Sequence, residues 1–183
     1  MQGDNLRIMS IDPGAANMGV TIQDYNPFTN QFTVQLVHTI DFEAVAVMLF
    51  GNYRLYQPER HLRMMSIQHA IGRYLSAWSP DVIVSEAPFM RDKVQAFASL
   101  TECIAHIRTA AFNYSPLLEV VTIDPPTVKR SVGVPGNSGD KALMQAAILK
   151  LPNLTNNTGI DFRMLDEHST DSIAVGYAYA NRS

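Results

Sequence analysis

Arg7-Ile8-Met9-Ser10-Ile11-Asp12-Pro13-Gly14, followed by Ala15-Ala16-Asn17-Met18-Gly19-Val20, is the stretch whose reading decides the fold. Leu6, Ile8, Met9 and Ile11 leave little polar surface, so residues 6–11 read as a buried strand. Pro13 and Gly14 stop it. Asp12 therefore sits at a strand end, its carboxylate carried on rigid backbone. A lone Asp-Pro-Gly is also how a strand closes on a solvated turn, so the weight falls on which residues accompany it.

Working outward, residues 18–25 and 32–40 read as two further strands, joined through the turn cluster Asn26-Pro27-Phe28-Thr29-Asn30 into a meander. Residues 42–57 show no clean period and read as a surface excursion with some packing of its own. Residues 59–77 carry Leu62, Met65, Ile67, Ala70, Ile71, Tyr74 and Leu75 at helical spacing, up to the stop at Trp78-Ser79-Pro80. Asp81-Val82-Ile83-Val84-Ser85-Glu86 is a second apolar strand that closes on an acid. The pattern over 92–112 is a helix apolar around more than half its circumference, the kind that packs on two sides. Leu117 to Ile123 reads as a core strand. A short helix enters through Pro126, 140–149 is another helix, and a last one runs from about 167 to 181, capped by Asp166 or Ser169. Strands alternate with helices after the meander, which predicts an α/β domain with a mixed sheet.

The bulk numbers suit one domain over 1–183: 46% hydrophobic and 17% charged residues describe a folded chain. A formal charge of −3 argues against wholesale coating of nucleic acid, but the basic residues bunch at Arg60 and Arg63, Arg91 and Lys93, and Lys129 and Arg130. Cys103 is the single cysteine, so no internal disulfide forms and a reducing compartment is expected. Neither a signal peptide nor a membrane span is predicted.

Asp12, Glu86 and Asp171 then become a set. His168 precedes Asp171 by three positions, so the two share one helix face, and Ile173-Ala174-Val175 turn that helix toward the core. Carboxylates gathered at a sheet edge repel one another, and a divalent cation is the usual remedy. Hard oxygen donors favour Mg²⁺, and an added imidazole also suits Mn²⁺. For His168 taken alone, helix capping is an equal alternative.

Ile-Asp-Pro-Gly at 11–14 with Gly19, Val-Ser-Glu-Ala-Pro-Phe at 84–89, Val-Lys at 128–129, Gly-Asp-Lys at 139–141 and His-Ser-Thr-Asp-Ser-Ile-Ala at 168–174 occur in one order. That series resembles the RuvC family of Holliday junction resolvases over nearly the whole chain. The resemblance implies an RNase H-like fold, a mixed five-stranded sheet with helices on both faces. It implies a crossover junction endodeoxyribonuclease that makes paired symmetric nicks in four-way DNA, leaving 5′-phosphate and 3′-hydroxyl ends. Asp12, Glu86, His168 and Asp171 fall at its metal positions, for a pair of Mg²⁺ ions that Mn²⁺ can replace. Lys129 and Lys141 match its functional lysines, and Phe89 falls at the aromatic that wedges against bases. On position alone, Phe89 would instead be a core residue.

Arg91 and Lys93, just beyond, and Arg130 are expected on the DNA backbone. Lys129 and Arg130 are read as opening a helix, a poor place for positive charge, which favours a phosphate role. A homodimer through 92–112 would give two sites for two nicks. A bacterial or bacteriophage origin and a cytoplasmic setting follow from the same resemblance. Residues 42–58 depart from it, being longer and more aromatic. Other branched, flap or hybrid substrates, a junction-binding protein that does not cut, and an actin-like ATPase are the competing readings.

Overall fold

The computed structural model describes residues 5–90 and 94–181. Three antiparallel strands come first: β1 (Leu6–Asp12), β2 (Asn17–Asn26) and β3 (Gln31–Asp41). Helices α1 (Phe42–Phe50) and α2 (Glu59–Trp78) precede β4 (Val82–Glu86). Then come α3 (Val94–Tyr114), β5 (Glu119–Ile123), α4 (Pro125–Ser131), α5 (Lys141–Ile148), β6 (Leu154–Asn156) and α6 (Glu167–Ala180). The strands form one six-stranded mixed sheet in the order β5-β4-β1-β2-β3-β6. It has one strand more than predicted. β6 is three residues long and polar at Thr155 and Asn156, too short and too wet to show a strand pattern.

Strand alternation sorts the core into two layers. Met9, Ile11, Met18, Val20, Ile22 and Ile83 face α1, α2 and α3. Ile8, Val82 and Val84 face the other way, toward α4, α5 and α6. The second face of β1 and β2 is small and polar: Ser10, Gly19, Thr21 and Gln23 lie there by parity. That decides how α6 sits. Thr21 Oγ1 and Ser172 Oγ are 2.5 Å apart, and Gln23 Nε2 donates to the Ile173 carbonyl at 3.0 Å. A Cβ at Gly176 would fall 2.6 Å from Gln23 Nε2 and 2.8 Å from Ser10 Oγ, so the helix lies close against the sheet and a larger residue there would have to displace those side chains.

Three expectations are corrected here. Residues 42–50 form helix α1, with the Asp41 carboxylate accepting from the backbone of Glu43 and Ala44 at 2.9 and 3.1 Å. Only Phe42 and Ala46 of this helix are buried, and apolar Val47 and Met48 face solvent, so no periodic stripe marks it. Leu117 is 94% exposed and precedes β5, which is a sheet edge. Lys129 and Arg130 lie in the last turn of α4, where positive charge complements the helix dipole, so the argument from an unfavourable position fails. The cap at its start is Asp124, which accepts from Thr127 N at 3.0 Å.

Candidate active site

Asp12 and Glu86 come together through sheet register. β1 and β4 are parallel, with Ile11 beside Ser85. One residue further, Asp12 stands beside Glu86, and parity turns both toward α6. α6 begins above them because Asp166 caps it, accepting from Ser169 N at 2.8 Å. Thr39 anchors the cap from β3: its hydroxyl donates to Asp166 Oδ1 at 2.7 Å and lies 2.8 Å from Ser169 Oγ. The first turn of α6 therefore delivers His168 and Asp171 to the strand ends. His168 Nδ1 donates to Asp12 Oδ2 at 2.7 Å. Gly19 pairs with Asp12 across β1–β2, and a Cβ there would fall 1.9 Å from the His168 carbonyl oxygen. The missing side chain makes room for the helix end.

The electrostatics follow from burial. Glu86 is pushed up to about 8, first by desolvation and then by Asp12 and Asp171. Asp171 is pushed up to about 7 by desolvation, Asp12 and Glu167. Burial also raises Asp12 against the pull of the His168 bond, and that bond holds His168 protonated to higher pH than an isolated imidazole. Lys129 is the cation that lowers both Glu86 and Asp171. Its ammonium donates to the Ser138 carbonyl at 2.6 Å, fastening the glycine-containing loop to α4. The four predicted ligands thus converge from β1, β4 and α6, and Lys129 joins them from α4.

Lys141, the first residue of α5, is paired with Glu167 and also feels Asp171 and Asp12. A cleft of about 170 Å³ between α5 and α6 is lined by Lys141, Gln145, Glu167, Thr170 and Asp171. A larger one of about 900 Å³ between α2 and α3 contains none of the acids. Phe89 is not in the core: it is 47% exposed, with Met90 beside it at 61%. Arg91 and Lys93 lie outside the described residues. Arg130 is exposed and donates to Thr127 Oγ1. The bunched Arg60 and Arg63 are paired with Glu102 and Glu59. Sequence reading missed Thr39 and Glu167. Both are ordinary in type and position, a strand threonine and a helix-opening acid, and only the fold brings them to the site.

Among the described residues, no three His, Cys, Asp or Glu side chains are grouped tightly enough to hold a metal ion as they stand. The donor set itself fits a hard divalent cation. Three partly buried carboxylates are oxygen-rich, and desolvation together with their mutual repulsion raises their proton affinity.

These features define an RNase H-like fold, with acids at the ends of the central strands and on the last helix. The solved structures similar to it include Thermus thermophilus RuvC bound to a Holliday junction substrate, at TM-score 0.68 and 14% identity, covering 96% of this chain and 93% of that one. The yeast mitochondrial Holliday junction resolvase Ydc2 aligns at TM-score 0.64 and 9% identity, over 96% of this chain and 78% of that one. The fowlpox virus Holliday junction resolvase aligns at 0.58 and 16%, over 95% and 96%. The predicted RuvC-type fold is therefore borne out. No protein-family profile and no curated protein matches the chain.

Proposed function

We propose that the chain is a divalent-metal-dependent endonuclease that resolves four-way DNA junctions by paired nicks, leaving 5′-phosphate and 3′-hydroxyl ends. The observation that carries this reading is the meeting of Asp12 and Glu86 at adjacent strand ends with His168 and Asp171 from the start of α6. The fold's likeness to the Holliday junction resolvases named above supports the substrate. Asp12, Glu86, His168 and Asp171 would hold Mg²⁺, with Mn²⁺ as a substitute, which when bound supplies an acidified water and charge relief for the leaving oxygen.

The chain's own groups have separate tasks. Burial keeps bulk water away from the reacting phosphate and strengthens each charge there. The Asp12 bond fixes the His168 ring, whose Nε2 lies 3.7 Å from Glu167 Oε1. Lys129 and Lys141 supply ammonium groups where negative charge builds on the phosphate. Phe89 and Met90, exposed on the loop just after Glu86, present an apolar surface to an opened base step.

Incubation with a four-way junction tests the reading. Cleavage in Mg²⁺ is expected from the native chain and none from Asp12→Asn, whereas matched duplex, flap and hybrid substrates are cut poorly. Equal cutting of all four would overturn the junction assignment. Loss of stacking in Phe89→Ala is worth about 1–3 kcal/mol per base. The expected result is weaker junction binding with duplex binding unchanged, measured by fluorescence anisotropy.

Two nicks in opposed strands call for two sites, which a two-fold dimer provides. Residues 94–102 of α3 bury no side chain fully, and Val94 is 68% exposed, so this end of the helix offers an apolar seam. Sedimentation at micromolar concentration is expected to give a dimer; a monomer would remove α3 as the seam. No helix among the described residues is long and apolar enough to cross a membrane. We place the work in the cytoplasm of a bacterium, or of a phage-infected host.

A further inference from the structure

Glu167 opens α6 and was not part of the expected site. Its two oxygens face different partners. Oε1 is 3.7 Å from His168 Nε2, and Oε2 is paired with Lys141 Nζ. His168 in turn bonds Asp12. The result is a line of adjoining polar side chains, Asp12–His168–Glu167–Lys141, that ties α5 to the acid pocket.

Lys141 needs such a tie. It sits at the first position of α5, immediately after the cap Asp140, where the helix dipole disfavours a cation. Its side chain is 73% exposed and, left alone, would sample many rotamers in water. Lys141 nevertheless lines the same cleft as Glu167 and Asp171, so the tie keeps its exposed ammonium on the side of α5 that faces the acids. An ammonium has three donors, and one given to Glu167 leaves two for another oxygen.

We infer that Glu167 is a positioning residue that holds the Lys141 ammonium beside the acid pocket, ready for the phosphate to be cut. The role rests on the proposed nuclease function. Glu167 touches neither phosphate nor reacting atoms; it acts through Lys141.

The first test needs no DNA. Amine acylation of the native chain by an N-hydroxysuccinimide ester is followed residue by residue by peptide mass spectrometry, with exposed Lys150 as the internal reference. Glu167→Gln is expected to speed acylation of Lys141 relative to Lys150 by about three- to fivefold, the scale of an exposed ion pair. An unchanged ratio overturns the tie.

The second test is single-turnover cleavage of a four-way junction in Mg²⁺. Glu167→Gln is expected to lower the maximal rate about three- to fivefold with the half-saturating DNA concentration unchanged. In a Lys141→Ala background the same substitution is expected to change nothing further, and Glu167→Asp is expected to recover part of the rate. An equal loss in both backgrounds, a faster rate, or a shifted Mg²⁺ requirement would mean that Glu167 acts on the acids directly, and overturns the inference. If the native chain cuts no junction, the nuclease reading fails, while the acylation result still decides whether the tie exists.

Discussion

Glu86→Gln is expected to abolish cleavage and, in chelator at alkaline pH, to make the protein more stable. Removing a carboxylate proposed to hold charge-relieving cations would take away several kcal/mol of transition-state stabilisation, a loss on the order of 10³-fold or more. The stability effect has the opposite sign. Burial and the neighbouring acids push native Glu86 up to about 8, far above the ordinary carboxylate range. Between those two values the folded chain binds a proton that the unfolded chain has released. Metal-free stability therefore falls as pH rises through about 4.5 toward about 8, and is flat above it.

Asp171, pushed up to about 7, adds a slope of the same sign over a narrower window. Glutamine carries no charge to desolvate, so the variant loses the Glu86 part of that slope. At pH 8.5 the gain is on the order of 5 kcal/mol, or roughly 10–20 °C in Tm for a chain of this size. Differential scanning calorimetry in EDTA at pH 5 and 8.5 reads it. Parallel pH dependences for the two proteins would show that Glu86 is not held in a desolvated, acid-crowded place. Saturating Mg²⁺ is expected to stabilise the native chain at pH 8.5 and to do much less for Glu86→Gln.

Gly19→Ala is the second large effect. The added methyl would stand 1.9 Å from the His168 carbonyl oxygen and 2.4 Å from its carbon. Both are backbone atoms, so no rotamer change relieves the clash and the start of α6 must lift. Overpacking of this kind costs about 1–3 kcal/mol, occasionally more. The larger consequence is functional. His168 and Asp171 ride on that turn, and displacement by about 1 Å at a reacting centre costs on the order of 10²-fold in rate. Gly72→Ala is the control: it lies within α2, its Cβ would meet nothing within 4 Å, and a helix-interior alanine is expected to stabilise slightly. Wild-type activity and Tm in Gly19→Ala would show that α6 does not need this contact.

Some of the fold was legible because period and punctuation agree. β1 and β4 are continuous apolar runs that end on an acid and a proline, so Asp12 and Glu86 could be read as strand-end carboxylates. α6 was legible from its cap and its turn toward the core. α1 was not, because its burial rests on Phe42 and Ala46 alone and its remaining apolar side chains leave no face distinct. β6 was not, because a three-residue polar strand exists only by pairing with β3. For Lys129 and Arg130, moving the helix start by one residue to Pro125 and closing it at Ser131 put both at the favourable end of a short helix.

By itself, then, the sequence determined which carboxylates sit on rigid strand ends and which histidine and aspartate share a helix face, because those properties are local and periodic. The tertiary structure decided what each of them meets. Parallel register sets Asp12 beside Glu86, the missing side chain at Gly19 lets α6 descend onto the sheet, and Thr39 fixes the cap that aims His168. Glu167 gained a role only when α5 and α6 brought their first residues together. Contacts between residues far apart in the chain depend on how layers pack, and no window of sequence contains both partners.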